Sequence, residues 1–207
     1  MEATTPAAAG GRRRQARGER RTAQLLDAAA VVFCRSGYAA AGMNAIAREA
    51  GVSPGTLYQF FPDKATLAAR LGERLLRQLA EVRGRPPVTD ASLSLEAMLD
   101  ALLDPIVEFS LRNPAFTVLA HGPDGPGGVP TALRGQLEEM IALRAPTLPG
   151  AQRVRVATTA FAVLSTGLSL VAHHEGAERT AYTAELKAAL TRYLAPVTDT
   201  ATRPKHH

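Results

Sequence analysis

The sequence predicts an all-α protein of about nine helices, on three observations. Apolar residues recur at three- and four-residue spacing along most of the 207 residues. No stretch alternates apolar and polar residues in the manner of a half-buried strand. Clusters rich in Gly and Pro separate the periodic segments and give each helix a place to end.

The N-terminal end shows no apolar periodicity, and its composition predicts a disordered basic arm over residues 1–20. Its run GRRRQARGERR either lies along DNA, in a minor groove or on phosphates, or is simply solvated. Helical spacing then begins, with Leu25, Ala29 and Val32 on one face, and Gly37 is expected to end this first helix.

Residues 43–64 hold two short helices joined by a tight turn. Ile46 lies on the apolar face of the first helix, and Gly51 can take the positive φ with which that helix ends. Ser53 can cap the second helix, and Pro54 suits its first position. Two helices joined in this way form a helix-turn-helix, whose second helix is shaped to enter a DNA major groove.

The segments after the motif are also helical by their apolar spacing. Helices are predicted at residues 64–83, 95–112, 115–121, 131–145, 151–175 and 178–195. The second of these contains Pro105 and is expected to kink there.

The net charge of +5 is concentrated towards the N-terminus. Residues 1–64 hold nine Arg or Lys against five Asp or Glu, as a module that binds a polyanion requires. The single cysteine, Cys34, excludes an intramolecular disulfide, and the charged N-terminus does not resemble an export signal, so a cytoplasmic protein is expected. Residues 156–172 are apolar, but their Ser, Thr and Gly content favours a buried helix over a membrane span.

The stretch IAREAGVSPGTLYQFFPDKATL follows a helix that ends in FCRSGY. Together they resemble the N-terminal DNA-binding domain of the TetR family of bacterial transcriptional regulators, and the remaining helices resemble the family in number and order. The resemblance implies a homodimer with a four-helix interface from the last two helices and a ligand cavity in each subunit. Ligand binding would spread the two DNA-reading domains and lower their affinity for the operator.

On this resemblance the chain is expected to be a repressor that binds a pseudo-palindromic operator and is released by a small, mainly apolar effector. The predicted domains are the arm at residues 1–20, the helix-turn-helix domain at 21–66, the ligand-binding and dimerisation domain at 67–196 and a flexible tail at 197–207.

The outward residues of the motif are the candidates for DNA contact. Tyr58 and Lys64 resemble the family's phosphate contacts, and Lys64 also lies at a helix N-terminus, where anions bind. Gln59 suits adenine, and Phe60 suits a thymine methyl group. The predicted set is Asn44, Arg48, Ser53, Pro54, Gly55, Thr56, Tyr58, Gln59, Phe60 and Lys64. Family members commonly carry Thr or Ser where this chain has Gly42, so one phosphate contact is not expected here.

Apolar positions of the later helices supply the candidates for the effector cavity and for the dimer interface. The predicted cavity is lined by Met98, Leu102, Ile106, Phe109, Phe116, Met140 and Phe161, with His121, Ser165 and Thr166 as polar anchors. The predicted interface consists of Leu164, Gly167, Leu168, Val171, Tyr182, Leu186, Leu190 and Tyr193.

The alternative is an all-helical small-molecule-binding protein or enzyme that does not bind an operator. Its strongest support is the run His173-His174-Glu175, but adjacent helical histidines point about 100° apart and cannot share a metal as an i, i+4 pair does. No nucleophile with a base at helical spacing and no phosphate-binding Gly loop is present. We therefore expect no catalytic residue, no metal and no cofactor.

Overall fold

Nine α-helices account for most of the residues that the structure describes. The computed structural model describes residues 6–84, 93–121 and 126–198. The helices are α1 (Pro6–Ala40), α2 (Met43–Glu49), α3 (Pro54–Phe60), α4 (Lys64–Arg83), α5 (Leu95–Arg112), α6 (Pro114–Ala120), α7 (Val129–Arg144), α8 (Gly150–His173) and α9 (Gly176–Thr198), with a 3-10 turn at Pro126–Gly128. These ranges contain no strand, which confirms the all-α prediction. The predicted tail lies outside the described residues from position 199 onward.

The chain divides into two compact units within α4, at residues 1–71 and 72–207. The sequence-based boundary lay earlier, between residues 66 and 67. Leu67, Ala68 and Leu71 are fully buried and belong to the first unit, so the first turns of α4 complete the helix-turn-helix unit.

Apolar side chains from all four of its helices form the core of the first unit. They include Leu25, Ala29, Val32 and Phe33 of α1, Ile46 of α2, Leu57 of α3 and Leu67 of α4. At Gly37 the helix α1 is broken rather than ended, because φ there is 72° and one more turn continues to Ala40. Glycine adopts this left-handed conformation at little cost, so the predicted residue marks the break.

The N-terminal segment differs from its prediction. Residues 6–20 are not an irregular arm but the first half of α1, which begins at Pro6. Pro is favoured in the first turn, and the Ala, Arg and Gln that follow are good helix formers without any apolar stripe. Gln15 also donates a hydrogen bond to Glu19 one turn on, over 3.2 Å. From Gln15 to Arg20 every residue is exposed or half-buried, so this part of the helix lacks apolar periodicity because it lies outside the core.

The core of the second unit lies between α5, α6, α7, α8 and α9. Gly167 of α8 packs directly on α9, where a Cβ atom at this position would lie 2.3 Å from Leu186 Cδ1. At the surface Lys187 of α9 donates to Asp100 and Asp104 of α5 over 2.8 and 2.6 Å. Partial burial alone would lower the pKa of Lys187, but the hydrogen bonds and charges of the two aspartates outweigh it and raise the pKa.

By length and composition α8 is long and apolar enough to cross a membrane. Half of its apolar window is buried inside the unit, as in the core helix that the sequence predicted.

The helix α5 continues through Pro105 without a non-helical residue, so the expected kink does not interrupt it.

Candidate nucleic-acid interface

The turn between α2 and α3 is closed by backbone hydrogen bonds. The N–H of Gly51 donates to Arg48 O over 3.1 Å, and the N–H of Val52 donates to Ala47 O over 3.0 Å. Gly51 has φ 64°, the left-handed conformation that the sequence required of it. The angle between the two helices is therefore fixed by local backbone geometry.

Ser53 caps α3 as predicted. Its Oγ accepts a hydrogen bond from the N–H of Thr56 over 3.1 Å, and Pro54 occupies the first turn. The hydroxyls of Ser53 and Thr56 also lie 2.9 Å apart and share a hydrogen bond. Because this bond occupies the Thr56 hydroxyl, its methyl group is the part best suited to contact a thymine.

The helix α3 has one buried side and one exposed side. Leu57 is fully buried in α3, and Phe61 is buried just after it, whereas Val52 in the turn is only half-buried. On the other side Tyr58 is 49% exposed and Phe60 38% exposed. The further predicted contact residues Asn44, Arg48, Ser53, Pro54, Gly55 and Gln59 are exposed, and Thr56 is half-buried. Large exposed aromatic side chains on a short, capped helix are typical of a contact surface.

Gly42 begins α2 without a side-chain cap, as the sequence indicated. Its carbonyl accepts the first hydrogen bonds of the helix from Ala45 and Ile46 over 3.0 and 3.2 Å. These are the bonds that any residue makes at this position, so α2 begins without a side-chain acceptor for its first N–H groups, and no side chain is available there for a phosphate.

Lys64 has a different environment from the one predicted. Its Nζ donates to the carbonyls of Tyr38 and Ala39 over 2.8 and 3.0 Å and lies 4.6 Å from the centroid of the Tyr38 ring. These carbonyls belong to the last turn of α1, which has no intrahelical partner for them. Two of its three N–H donors join the start of α4 to the end of α1, which supports a role in this junction, and the phosphate contact of Lys64 stays a prediction.

Two contacts between α1 and α2 were not predicted from the sequence. Gln24 donates from Nε2 to Ala50 O over 2.7 Å, and Arg35 forms an ion pair with Glu49 over 3.2 Å. Each joins residues that are distant along the chain, so no local motif marks it. Arg48, in contrast, has no ion-pair partner among the described residues and is exposed.

The predicted effector residues lie inside the second unit. Met98, Leu102, Ile106, Phe109, Phe116, Met140, Phe161 and Ser165 are buried, while Thr166 and His121 are exposed. Phe109 packs edge-on against Phe116, with ring centroids 5.2 Å apart. Phe109 also lines a surface cavity of about 300 Å³ together with Val82, Gln78 and Arg112.

Most of the predicted interface residues belong to the core of the chain itself. Leu164, Gly167, Leu168, Val171, Leu186 and Leu190 are buried within one chain, and only Tyr182 and Tyr193 keep partial exposure. A side chain that is already buried has no surface to offer a second copy. The assignment of these six to a dimer interface is therefore corrected, because α8 and α9 cover each other's apolar faces.

The histidines at the end of α8 are bound to their own helix. Nδ1 of His173 lies 2.6 Å from Ser169 O, Nδ1 of His174 lies 2.7 Å from Leu170 O, and the His174 ring stacks on Tyr182. Within the described ranges no three His, Cys, Asp or Glu side chains lie close enough to hold a metal ion.

Named relatives and a solved structure match this chain. The HTH-type transcriptional activator FasR of Mycolicibacterium smegmatis is 43% identical over 100 residues, and the HTH-type transcriptional repressor KstR of Rhodococcus jostii is 36% identical over 102 residues. These matches cover 46% and 49% of this chain but only 46% of the length of each relative, slightly under half. The crystal structure of a TetR-like transcriptional regulator from Rhodococcus sp. RHA1 covers 84% of this chain and 96% of its own, with 25% identity and a TM-score of 0.62.

Two family models match separate parts of the chain. Residues 25–71 match bacterial regulatory proteins of the tetR family, and residues 94–194 match the tetracyclin repressor-like C-terminal domain. Both models and both relatives describe regulators, which confirms the prediction that this is not an enzyme. The chain belongs to the TetR family of bacterial regulatory proteins.

Proposed function

We propose that the protein is a cytoplasmic, ligand-responsive repressor of transcription that binds a pseudo-palindromic DNA operator as a homodimer. One observation carries the proposal: a capped, seven-residue helix, α3, is held by a single buried side chain and exposes Tyr58, Gln59 and Phe60. A helix of this form fits a major groove and presents side chains to base edges and phosphates. An operator-free binding protein or enzyme would have no use for this exposed aromatic surface.

Each exposed residue of the motif has a role that its chemistry allows. Tyr58 donates its hydroxyl to a phosphate, and Gln59 pairs with an adenine edge. Phe60 contacts a thymine methyl group, and Arg48 reaches guanine or a phosphate. Asn44, Ser53, Pro54, Gly55 and Thr56 complete the surface. Lys64 is left out of this set because two of its three N–H donors are bound to α1.

Dimerisation requires a surface other than the buried one that the sequence indicated. The outer side of α8 exposes Leu170 and Thr166, and α9 contributes the half-buried Tyr182 and Tyr193. We assign the interface to this outer side of both helices. Two heads at a fixed separation then require two half-sites, which supplies the specificity that one short helix lacks.

The effector is a small, mainly apolar molecule that enters the second unit. The support is the apolar, aromatic surroundings of Phe109 and Phe116.

The test is binding to the DNA upstream of the protein's own gene, followed by fluorescence anisotropy over a range of salt concentrations. We expect specific binding with a steep negative dependence on salt. Tyr58→Ala should weaken binding to every duplex, whereas Gln59→Ala should relax the preference at one base pair by about 1–3 kcal/mol. Val31→Ala removes an equally exposed side chain outside the motif and serves as the matched control. Equal binding by wild type and Tyr58→Ala contradicts the contact assignment, and absence of any sequence-specific binding contradicts the function.

A further inference from the structure

The first half of α1 extends beyond the core that the rest of the helix builds. All described side chains from Gln15 to Gln24 are exposed or half-buried, and the first buried one is Leu25. From Pro6 to Gln24 the helix is about 28 Å long at 1.5 Å per residue. Packing within the unit therefore does not explain why this half is present.

This extension carries a dense and uncompensated positive charge. Its basic residues are Arg12, Arg13, Arg14, Arg17, Arg20 and Arg21, and Glu19 is its only acid. Glu19 accepts its hydrogen bond from Gln15, and Arg21 donates to the neutral Gln24 over 3.0 Å. In the described part of the chain neither Arg17 nor Arg20 has an acidic partner, so both guanidinium groups are available to an external anion.

The extension leaves the unit beside the helix-turn-helix. Gln24 donates to Ala50 O at the end of α2, only three residues before the cap of α3 at Ser53. Arg20 lines the same groove as Glu49 and Ala50. The positive charges thus begin at the turn that leads into α3, on the element that continues outward from it.

The composition of the extension identifies the class of partner. Between residues 6 and 24 the apolar side chains other than Pro6 are all Ala, so the helix lacks the large apolar face with which an amphipathic helix enters a membrane. Guanidinium groups pair readily with phosphates, and contacts to the nucleic-acid backbone need no base-specific side chain. Double-stranded DNA beside α3 offers phosphates to these guanidinium groups, and binding to its backbone requires neither an apolar face nor a base-specific side chain.

We infer that residues 6–24 form an accessory DNA-binding helix, in which Arg17 and Arg20 contact phosphates of the duplex that flanks each half-site. The inference rests on the proposed function, since it assumes that α3 lies in a major groove. It adds a sequence-independent contact outside the helix-turn-helix and extends the protected length of DNA beyond the half-site.

The experiment measures affinity against salt for the double variant Arg17→Gln/Arg20→Gln on a long duplex carrying the upstream operator. In the homodimer the double variant removes two phosphate contacts per subunit, four in all, and should make the slope of log K against log salt less negative by about 4. Affinity in low salt should fall on the order of 10-fold to 100-fold. The charge-retaining variant Arg17→Lys/Arg20→Lys should keep the wild-type slope, as should Arg77→Gln, which removes an exposed charge from the second unit. Circular dichroism checks that the helical content of each variant is unchanged.

A second measurement locates the contacts by trimming the same duplex to the operator alone. Wild type and Arg17→Gln/Arg20→Gln should then bind with the same slope, because the flanking phosphates are gone. An unchanged slope on the long duplex, with steep binding by the wild type, overturns the inference and leaves the proposed function intact. A loss that persists on the trimmed duplex overturns the flanking position. Absence of operator binding by the wild type instead contradicts the proposed function itself.

Discussion

The helices α3 and α8 differ in how much of their sequence is buried in the core. The seven residues of α3 bury one side chain, Leu57, and the helix is held in place by its cap and its turn. Nine of the twenty-four residues of α8 are buried, all between Val156 and Val171. In α3 most residues are thus free to serve binding, whereas the buried stripe of α8 is already required by the core. The type of an exposed residue in α3 therefore indicates what it binds, whereas the type of a buried residue in α8 reflects packing in the core.

The largest effect is expected where α8 is most buried. Phe161→Ala should lower the free energy of unfolding by about 3–5 kcal/mol, because Phe161 is fully buried and its loss leaves a cavity. Gln152→Ala, at an exposed position of the same helix, should change it by less than about 0.5 kcal/mol. Urea unfolding followed by circular dichroism measures both. A small loss for Phe161→Ala would mean that its ring lines an open ligand cavity, as the sequence predicted.

The same contrast explains which predictions the sequence could support. Gly51, Ser53 and Pro54 act on their immediate neighbours, so the bounds of α2 and α3 follow from local chemistry. The apolar stripes of α8 and α9 were identified as well, but a stripe does not say what covers it. Gly167 and Leu186 cover each other within one chain, and only the three-dimensional packing decides between this and a dimer interface. The helix over residues 6–20 was not predicted, because helices were predicted from apolar stripes. Residues with a high intrinsic helix propensity form a helix without such a stripe.

At Gly72 of α4, helix propensity and packing predict opposite effects of a substitution by alanine. Alanine is the better helix former, but a Cβ atom on Gly72 would lie 2.0 Å from the carbonyl oxygen of Gly127. Gly72→Ala should therefore destabilise the protein by about 1–3 kcal/mol, since backbone has to move. Gly135→Ala, in α7 with open space around the new methyl group, should stabilise it by up to about 1 kcal/mol. Thermal unfolding compares the two, and equal effects at both positions would show that the close approach is relieved without cost.

Lys64 tests whether a residue of the first unit serves packing rather than DNA. Lys64→Met removes two hydrogen bonds to the end of α1 and should lower stability by on the order of 1 kcal/mol. The salt dependence of operator binding should stay that of the wild type, because two of the three ammonium N–H donors are already bound to α1. Lys64→Arg keeps the charge but replaces the compact ammonium group with a planar fork, so it should also lose stability. A slope that becomes less negative by about 2 for Lys64→Met, one for each subunit, with unchanged stability, would restore the phosphate contact.

The smallest effect concerns the starts of the helices α4 and α8. Asp63 accepts a hydrogen bond from the N–H of Thr66 over 2.6 Å, and this bond lowers the pKa of the Asp63 carboxyl group. Since the folded pKa lies below the unfolded value of about 3.9, the contribution of Asp63 to stability is present above that pH and disappears as the pH falls through the folded pKa. Asp63→Asn keeps a capping oxygen without the charge, so the stability difference between wild type and variant should shrink between about pH 5 and pH 2. The helix α8 begins after Pro149, which has no side-chain cap, and offers no equivalent acid-dependent contact. Urea midpoints across this range provide the measurement, and a difference that does not change with pH would show that Asp63 acts as a cap without its charge.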